Sequence, residues 1–322
     1  MTRRKFLGTS IAGSATVLVG GSAVIFPKTG WAADSAVPGS SSFVIGGDLR
    51  VNRLGFGAMR LTGEGIWGWP PDRETARKVL RRAVELGINF IDTADAYGPD
   101  VDELLIAEAL HPYPAGLIIA TKGGHTRPGP NRWVPNGRPE YLTKCVDGSL
   151  KRLRLERIDL YQLHRIDPNV PVEESLGALK KAQVAGKIRH IGLSEVSVKQ
   201  IEQSKKVVPI VSVQNQYNIV DRKSEDVLTY CEKEKLGFIP WAPIGGSRAS
   251  FASSGSPIEA EAKRRNVSGV QLALAWLLQR SPVMIPIPGT SSLAHLEENV
   301  AAAKIQLSAE DWKKIEELAK PA

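Results

Sequence analysis

Apolar and polar positions alternate along the chain in two different rhythms, one typical of helices and one typical of buried strands. In Thr75–Leu86, apolar residues recur every three or four positions, with charged residues between them. This spacing predicts a helix that buries one face. The same pattern recurs in Glu140–Leu153, Val172–Ala185 and Gln271–Leu278.

Short continuous apolar runs lie between these helical stretches and predict eight strands. They are Leu54–Gly57, Asn89–Thr93, Leu117–Lys122, Ile158–His164, Ile188–Ser194, Ile210–Gln214, Gly237–Trp241 and Met284–Pro288. Strands that alternate with helices form a parallel sheet, which is either open and doubly wound or closed as a barrel. No Gly-x-Gly-x-x-Gly motif follows an early strand, which argues against the open form. We therefore predict an α/β fold, a (β/α)8 TIM barrel.

The predicted barrel domain covers residues 43–322 and begins with a hairpin. Phe43 to Leu54 contains two apolar stretches around Gly46-Gly47-Asp48, a glycine-rich reversal. We expect this hairpin to cap the lower mouth of the barrel. At the other end of the domain, Ser308 and Asp311 have the spacing that caps the start of a last helix.

The first 32 residues have the pattern of an export signal, and residues 33–42 that of a linker. Arg3-Arg4-Lys5 precedes a weakly apolar, glycine-containing stretch, and Gly30-Trp31-Ala32-Ala33 offers small residues for cleavage. Twin arginines before a weak apolar core resemble a Tat signal. We expect a periplasmic or secreted protein without stable membrane insertion after cleavage. A retained anchor and a cytoplasmic tail are the alternatives.

Charge and cysteine content exclude several classes of protein. Half of the net charge of +8 comes from Arg3, Arg4, Lys5 and Lys28 in the leader. Since no dense basic tract remains, nucleic acid is not an expected partner. Two cysteines in separate helical patterns predict neither a disulfide nor a metal site.

Four residues with acid–base chemistry follow consecutive predicted strands. Asp92 and Tyr97 follow the second strand, Lys122 ends the third, and His164 ends the fourth. Singly, each has an ordinary structural explanation, such as a turn cap, a solvated lysine or a core histidine. Their joint occurrence at the carboxyl ends of barrel strands, where barrel enzymes do their chemistry, favours an active site.

Together these four side chains suit the reduction of a carbonyl group. The product alkoxide needs a proton, and a free phenol is a weak acid at neutral pH. A lysine ammonium about 4 Å from Tyr97 would stabilise the phenolate by about 4 kcal/mol and bring its pKa towards 7. Asp92 would hold Lys122 charged, and His164 would donate a hydrogen bond to the substrate oxygen.

At this point the chain from Leu54 to Leu307 resembles the aldo/keto reductase superfamily, in particular a bacterial branch that includes pyridoxal reductases. Asp92 to Gly98 is similar to the Asp-Thr-Ala-x-x-Tyr-Gly motif, and Lys122 and His164 match the rest of the catalytic tetrad. The resemblance implies an NADP(H)-dependent oxidoreductase. The cofactor-binding positions that it implies are Ser194, Glu195, Gln214, Trp241, Pro243, Ile244, Gly289, Thr290, Ser291, His295, Glu298 and Asn299.

The chain departs from the family pattern at three of these positions. Glu195 replaces the usual Asn, Gly289 stands where better-known members have a Lys, and His295 where they have an Arg. Fewer cations at the 2′-phosphate leave NAD as the alternative to NADP. Thr290 and the serines that follow it would compensate by hydrogen bonding.

Two other functions are compatible with the same residues. One is a cofactor-binding, redox-sensing module with little turnover, and the other is a Schiff-base enzyme with Lys122 as the nucleophile. For a reductase, we expect a monomer and a small carbonyl substrate, an aromatic or heteroaromatic aldehyde. The pocket mouth is predicted to be built from the loops after the first and third strands, with Trp67, Trp69 and the loop Gly123 to Arg138, which contains Arg132 and Trp133.

Overall fold

The computed structural model describes residues 41–245 and 256–319. The predicted signal, residues 1–32, and the linker as far as residue 40 lie outside this part of the chain. The strands are β1 (Ser42–Ile45), β2 (Leu49–Asn52), β3 (Phe56–Gly57), β4 (Phe90–Asp92), β5 (Ile118–Gly123), β6 (His125–Gly129), β7 (Arg132–Pro135), β8 (Ile158–Leu163), β9 (Ile188–Ser194), β10 (Ile210–Gln214) and β11 (Gly237–Phe238). The helices are α1 (Arg73–Glu85), α2 (Val101–Leu110), α3 (Pro139–Leu153), α4 (Val172–Val184), α5 (Val198–Lys205), α6 (Glu225–Glu234), α7 (Pro257–Arg264), α8 (Gly269–Arg280), α9 (Leu293–Ala301) and α10 (Ala309–Leu318).

Seven strands form one parallel sheet in the order β3-β4-β5-β8-β9-β10-β11. The segment 283–286 connects its two edges. On one side, the Phe238 N–H donates to the Val283 carbonyl at 2.9 Å, and the Ile285 N–H donates to the Phe238 carbonyl at 2.8 Å. On the other side, the Gly55 N–H donates to the Pro286 carbonyl at 2.9 Å. The sheet is thus closed, and the predicted (β/α)8 barrel is confirmed.

Prolines shorten the predicted strands on both sides of this closure. Met284–Pro288 was predicted as the eighth strand, but Met284 forms only an isolated bridge to Phe238. Pro286 and Pro288 have no N–H to donate to a regular ladder. β11 likewise ends before Pro240, short of the predicted end at Trp241.

A hairpin precedes the barrel strands, as the sequence predicts. β1 and β2 pair antiparallel from Ser42 opposite Asn52 to Ile45 opposite Leu49. Its turn contains Gly46 at φ 62° and Gly47 at φ 87°, a left-handed backbone that glycine adopts without strain. The buried hairpin residues pack in one cluster with side chains of the barrel strands, which include Phe90, Ile118, Leu160, Ile239 and Ile285.

The predicted helices are present, with ends shifted by one or two residues. α10 begins after Ser308, whose hydroxyl accepts from the Asp311 N–H, while the Asp311 carboxylate accepts from the Ser308 N–H. Cys145 in α3 and Cys231 in α6 are buried free thiols. Within the described residues, no helix is long and apolar enough to cross a membrane, and no cluster of His, Cys, Asp or Glu could hold a metal.

The sequence did not predict a second hairpin, β6–β7, which follows β5 directly. It pairs antiparallel with His125 opposite Pro135 and Thr126 opposite Val134. The Arg127 guanidinium lies 3.6 Å from the centroid of the Trp133 ring. This hairpin brings both His125 and Trp133 to the end of the barrel at which β5 finishes.

Candidate active site

The barrel register brings the four predicted catalytic residues together. Asp92 is the last residue of β4, Lys122 lies one position before the end of β5, and His164 directly follows β8. β5 pairs in parallel with β4 on one side and with β8 on the other. Tyr97 lies in the turn between β4 and α2. Adjacent strand ends therefore meet at one mouth of the barrel.

Lys122 contacts two members of the site directly. Its Nζ lies 2.6 Å from Asp92 Oδ2 and 3.2 Å from the Tyr97 hydroxyl oxygen, and donates to both. The third proton of the ammonium goes to the Thr93 carbonyl oxygen at 2.9 Å, a partner that the sequence did not indicate. Lys122 is fully buried, so these three acceptors replace the water that its charge would otherwise bind.

Two glutamine amides hold the other oxygen of Asp92. Gln162 Nε2 donates to Asp92 Oδ1 at 3.0 Å and Gln214 Nε2 donates to it at 2.8 Å. Gln162, which lies on β8, was missed by the sequence analysis. Gln214 was predicted to bind the cofactor, and in the structure its amide nitrogen orients the Asp92 carboxylate. Asp92 is therefore fixed on both oxygens and cannot turn away from Lys122.

Burial and charge act in opposite directions on the Tyr97 phenol. Burial raises its pKa, and the nearby Lys122 ammonium lowers it without reversing that rise. The expectation that Lys122 brings the pKa of Tyr97 towards 7 is therefore wrong. For Lys122 itself, burial lowers the pKa, but the charge of Asp92, the interaction with Tyr97 and the hydrogen bonds to both together outweigh burial, so the net pKa is raised. At neutral pH the pair is a neutral phenol beside an ammonium.

His164 is a neutral imidazole beside this pair. Burial, followed by the positive charge of Lys122, holds its pKa well below the usual value. Its ring centroid lies 5.8 Å from that of Tyr97 and 4.6 Å from that of His125, edge to face in both cases. Its Nδ1 is buried and has no hydrogen-bond partner among the described residues. A neutral imidazole presents one N–H donor, which suits a carbonyl oxygen.

A cavity of about 560 Å³ opens over these residues. The predicted site residues that line it are Asp92, Tyr97, His164, Ser194, Gln214, Trp241, Pro243, Ile244 and Gly289. Two of the lining residues, Gly57 and Gly289, are glycines packed closely against neighbouring backbone. A Cβ on Gly289 would lie 2.5 Å from the Gly57 carbonyl oxygen, and a Cβ on Gly57 would lie 2.7 Å from the Ile287 carbonyl oxygen. Glycine is therefore required where these two segments meet.

Glu195 is outside the cavity lining but supports one of its walls. Its Oε1 accepts from the Trp241 indole N–H at 2.5 Å and from the Gln216 N–H at 2.7 Å. Its backbone is left-handed, with φ at 55°, a conformation more often adopted by Asn. The carboxylate therefore stabilises the position of Trp241 across two strand ends.

The remaining predicted cofactor residues lie just before α9 and along it, outside the described cavity lining. The Ser292 hydroxyl caps this helix by accepting from the His295 N–H at 3.4 Å. Thr290 Oγ1 accepts from the Ser292 N–H at 3.0 Å. Ser291 is exposed, Glu298 is half-buried and Asn299 is buried. Free N–H groups at a helix start favour an anion such as a phosphate.

Only some of the residues predicted at the pocket mouth line the described cavity. Trp133 lines the cavity, whereas Trp67, Trp69 and Arg132 are not in its described lining. Trp69 instead packs under the Arg73 guanidinium, 3.8 Å from the ring centroid. The lining residues that the sequence analysis missed include Met59, Arg60 and Arg165. His125 also lines the cavity, and it lies within the predicted mouth loop Gly123 to Arg138. For Arg165 a signal was present, because it directly follows His164.

Comparison with known proteins agrees with this geometry. Residues 53–320 match the aldo/keto reductase family. An uncharacterized oxidoreductase of Schizosaccharomyces pombe is 53% identical over 287 residues, which cover 89% of this chain and 93% of that protein. Pyridoxine 4-dehydrogenase of Escherichia coli is 42% identical over 277 residues, which cover 84% of this chain and 96% of that enzyme.

A solved structure agrees with the barrel. The aldo-keto reductase of Klebsiella pneumoniae in complex with NADPH superposes with a TM-score of 0.74 at 24% identity, covering 88% of this chain and 96% of that one. This likeness concerns the fold, and the sequence match extends over most of the chain. The chain belongs to the aldo/keto reductase family and is an oxidoreductase.

Proposed function

We propose that the protein reduces the carbonyl group of an aldehyde or ketone to an alcohol with NADPH, with Tyr97 as the proton donor. One observation carries this proposal. Below the cavity, the buried Lys122 ammonium donates hydrogen bonds to both the Asp92 carboxylate and the Tyr97 hydroxyl. A neutral phenol in contact with a fixed ammonium can release its proton only when a stronger base develops next to it. The alkoxide formed by carbonyl reduction is such a base.

The cavity walls have the chemistry that a nicotinamide dinucleotide needs. Trp241 offers an aromatic surface held in place by Glu195, and Ser194 and Gln214 offer polar groups at the same wall. The start of α9, with Thr290 and Ser291, suits the phosphate-bearing end. When bound, the reduced nicotinamide supplies the hydride. The NADPH complex of the Klebsiella pneumoniae reductase supports NADP as the cofactor.

The substrate oxygen would lie between Tyr97 and His164. The neutral His164 imidazole donates a hydrogen bond that orients the carbonyl and polarises it. As negative charge develops on that oxygen, Tyr97 transfers its proton, and Lys122 stabilises the phenolate left behind. Asp92 keeps Lys122 charged throughout. The proton then returns to Tyr97 from solvent when the alcohol leaves.

The two alternatives explain less of the site. A Schiff-base mechanism needs a neutral amine on Lys122, but Asp92 raises the pKa of that ammonium and all three of its protons are donated. A sensing module with little turnover would not require the Tyr97 hydroxyl to contact Lys122 below the cavity. The complete tetrad therefore favours turnover.

An aromatic or heteroaromatic aldehyde is the substrate class that the cavity fits best. The rings of Tyr97, His125 and His164 pack edge to face against the Trp133 ring, with centroids 5.7 Å to 6.1 Å from its own. Flat apolar rings pack well against such walls. The name of the related pyridoxine 4-dehydrogenase points to the same class of molecule.

The proposed activity is tested by NADPH consumption with a panel of aromatic and aliphatic aldehydes and ketones. We expect aromatic aldehydes to be reduced fastest, with formation of the alcohol shown by mass spectrometry. Binding of NADPH without oxidation by any carbonyl compound would instead support the sensing module. Trapping of an aldehyde on Lys122 by borohydride would support the Schiff-base enzyme.

Three further proposals concern the setting of this activity. The hairpin β1–β2, whose apolar side chains pack among the strand residues, would cap the lower mouth of the barrel. The twin-arginine leader would export the folded protein to the periplasm or beyond, with cytoplasmic retention as the alternative. The protein is proposed to act as a monomer.

A further inference from the structure

Arg165 is a half-buried cation at the cavity whose charge is poorly compensated. It lines the cavity, and its side chain is 34% exposed. Among the described residues, its contacts with polar groups are long: Nη1 donates to the His164 carbonyl oxygen at 3.4 Å, and Nη2 lies 3.9 Å from Glu195 Oε2. A guanidinium has five N–H donors, and burial without good acceptors is costly.

Glu195 does not neutralise this charge well, because its carboxylate is engaged elsewhere. Its Oε1 accepts from the Trp241 indole and the Gln216 backbone, which fixes the group towards that wall. The remaining oxygen lies beyond hydrogen-bond distance of Arg165. Several donors of Arg165 are therefore left for another acceptor.

The cavity as a whole favours an anion at this point. Among the described residues that line it, Asp92 is the only acid, and Lys122 neutralises it. His164 and His125 are neutral, since burial and then neighbouring positive charges, Arg165 among them, lower the pKa of each. Arg165, whose ion pair with Glu195 is long, thus contributes an incompletely neutralised positive charge close to the His164 ring, which is proposed to bind the carbonyl oxygen.

Arg60 is the other arginine of the lining, and it lies elsewhere. The position of a Cβ on Gly289 would be 3.5 Å from Arg60 Cγ, which places Arg60 beside the segment proposed to bind the cofactor. Arg165 instead follows His164 in the chain. Of the two cations, Arg165 is the one adjacent in the chain to the residue proposed to orient the substrate carbonyl.

We propose that Arg165 is a specificity-determining residue that binds an oxyanion carried by the substrate, so that the preferred substrates are aromatic carbonyl compounds with a carboxylate or similar acidic group. This inference rests on the proposed reductase function and names its substrate class. Charge-assisted hydrogen bonds from a guanidinium to a carboxylate are stronger than neutral ones and are often bidentate. A neutral ester of the same shape lacks that interaction.

The test compares 3- and 4-carboxybenzaldehyde with their methyl esters in the full chain. For the wild type, we expect one of the two carboxybenzaldehydes to be the better substrate. Its KM should be at least about tenfold lower than the KM of its own methyl ester. Arg165→Gln should raise the KM for the acid by about tenfold, with kcat and the ester little changed, and Arg165→Lys should recover part of the loss. Arg50→Gln, an exposed arginine on the hairpin, is the charge-matched control.

A second measurement separates this inference from the reductase proposal. Benzoate binding to the NADPH-saturated protein, followed by titration calorimetry, needs no turnover and should weaken about tenfold in Arg165→Gln. Wild-type protein that reduces no carbonyl compound would refute the reductase proposal, whereas benzoate binding independent of Arg165 would overturn the anion site. Equal losses for acid and ester, or a tenfold weaker NADPH affinity in Arg165→Gln, would overturn it as well.

Discussion

Lys122 connects the members of the site, and its environment explains why a buried charge is tolerated there. A buried ammonium is stable only with close acceptors, and Lys122 has Asp92, the Thr93 carbonyl and the Tyr97 hydroxyl within 3.2 Å. In the proposed mechanism, the same contacts make the Tyr97 proton transferable. The phenol and the ammonium would then act as one unit.

A variant of Tyr97 tests this unit directly. Tyr97→Phe keeps the ring and removes the hydroxyl, so kcat should fall by at least about a hundredfold while the Kd for NADPH changes little. Lys122→Met should be similarly damaging. In steady-state kinetics, the fold-loss of kcat in the double variant should be much smaller than the product of the two single fold-losses. Near-normal turnover by Tyr97→Phe would remove it from the mechanism.

The residues found from sequence were those whose chemistry is unusual for their position. The four tetrad residues lie at, or shortly after, the carboxyl ends of strands: Asp92, Tyr97, Lys122 and His164. Apolar runs in the sequence indicate where those strands end. Gln162 and Arg165 were not predicted, because neither an amide within a strand nor an arginine after one indicates by itself a particular chemistry. Their roles depend on which strands become neighbours, and spacing along one strand does not contain that information.

At the scale of elements, periodicity predicted helices better than strands. The helix predicted at Glu140–Leu153 is α3, which begins one residue earlier, whereas the strand predicted at Leu54–Gly57 retains only its last two residues. Helical periodicity extends over many residues, but a short apolar run contains no signal for where its ladder ends. The hairpin β6–β7 was missed because Arg127, Gly129 and Pro130 suggested a plain loop.

The start of α9 gives a prediction about the cofactor. NADPH should bind more tightly than NADH, because the exposed Ser291 precedes a capped helix start whose N–H groups favour a phosphate. Ser291→Asp should weaken NADPH by about tenfold or more through charge repulsion and leave NADH nearly unchanged. Ser291→Asn is the neutral control, and fluorescence titration measures all affinities. Equal affinities of the wild type for NADH and NADPH would contradict the assignment.

At the scale of the whole molecule, the buried ionisable groups have opposing effects on stability. Burial lowers the pKa of His125 to about 4. Burial, with the charge of Glu103 adding to it, raises the pKa of Asp95 and Asp102 to about 7. Above about pH 4, His125 is neutral in the folded state but still protonated in the unfolded chain. As pH rises towards the unfolded pKa, the unfolded chain loses this proton, and the free energy of unfolding therefore increases. Asp95 and Asp102 have the opposite effect. They are protonated in the folded state but ionised in the unfolded chain, so the free energy of unfolding decreases as pH rises towards 7.

Asp102→Asn should expose this balance. Asp102 is fully buried, and its Oδ2 accepts from the Thr93 hydroxyl at 2.7 Å, a bond that an amide oxygen can also make. The protonated carboxyl stabilises the fold below its unfolded pKa, and that contribution is lost as pH rises towards 7. Relative to wild type, the variant should therefore gain about 1.4 kcal/mol of unfolding free energy per pH unit between pH 5 and 6.5.

Urea unfolding at several pH values measures this difference, and Asp147→Asn, an exposed site paired with Lys187, is the control. A difference between Asp102→Asn and wild type that stays constant with pH would show that Asp102 remains ionised in the fold. The prediction concerns stability alone, so it is independent of whether a substrate has been found.

The leader makes a prediction about the place of the activity in the cell. If Arg3-Arg4 is a Tat signal, the protein folds in the cytoplasm and crosses the membrane already folded, so it can carry a bound dinucleotide with it. No ready pool of reduced nicotinamide is expected outside the cytoplasm, so an exported reductase would need to hold its cofactor tightly and recycle it with a second substrate. Fractionation should find the wild type in the periplasm, beginning near Ala33, and Arg3→Lys/Arg4→Lys in the cytoplasm at full length. If both stay in the cytoplasm uncleaved, the leader is not an export signal, and the requirement for a tightly held cofactor disappears with it.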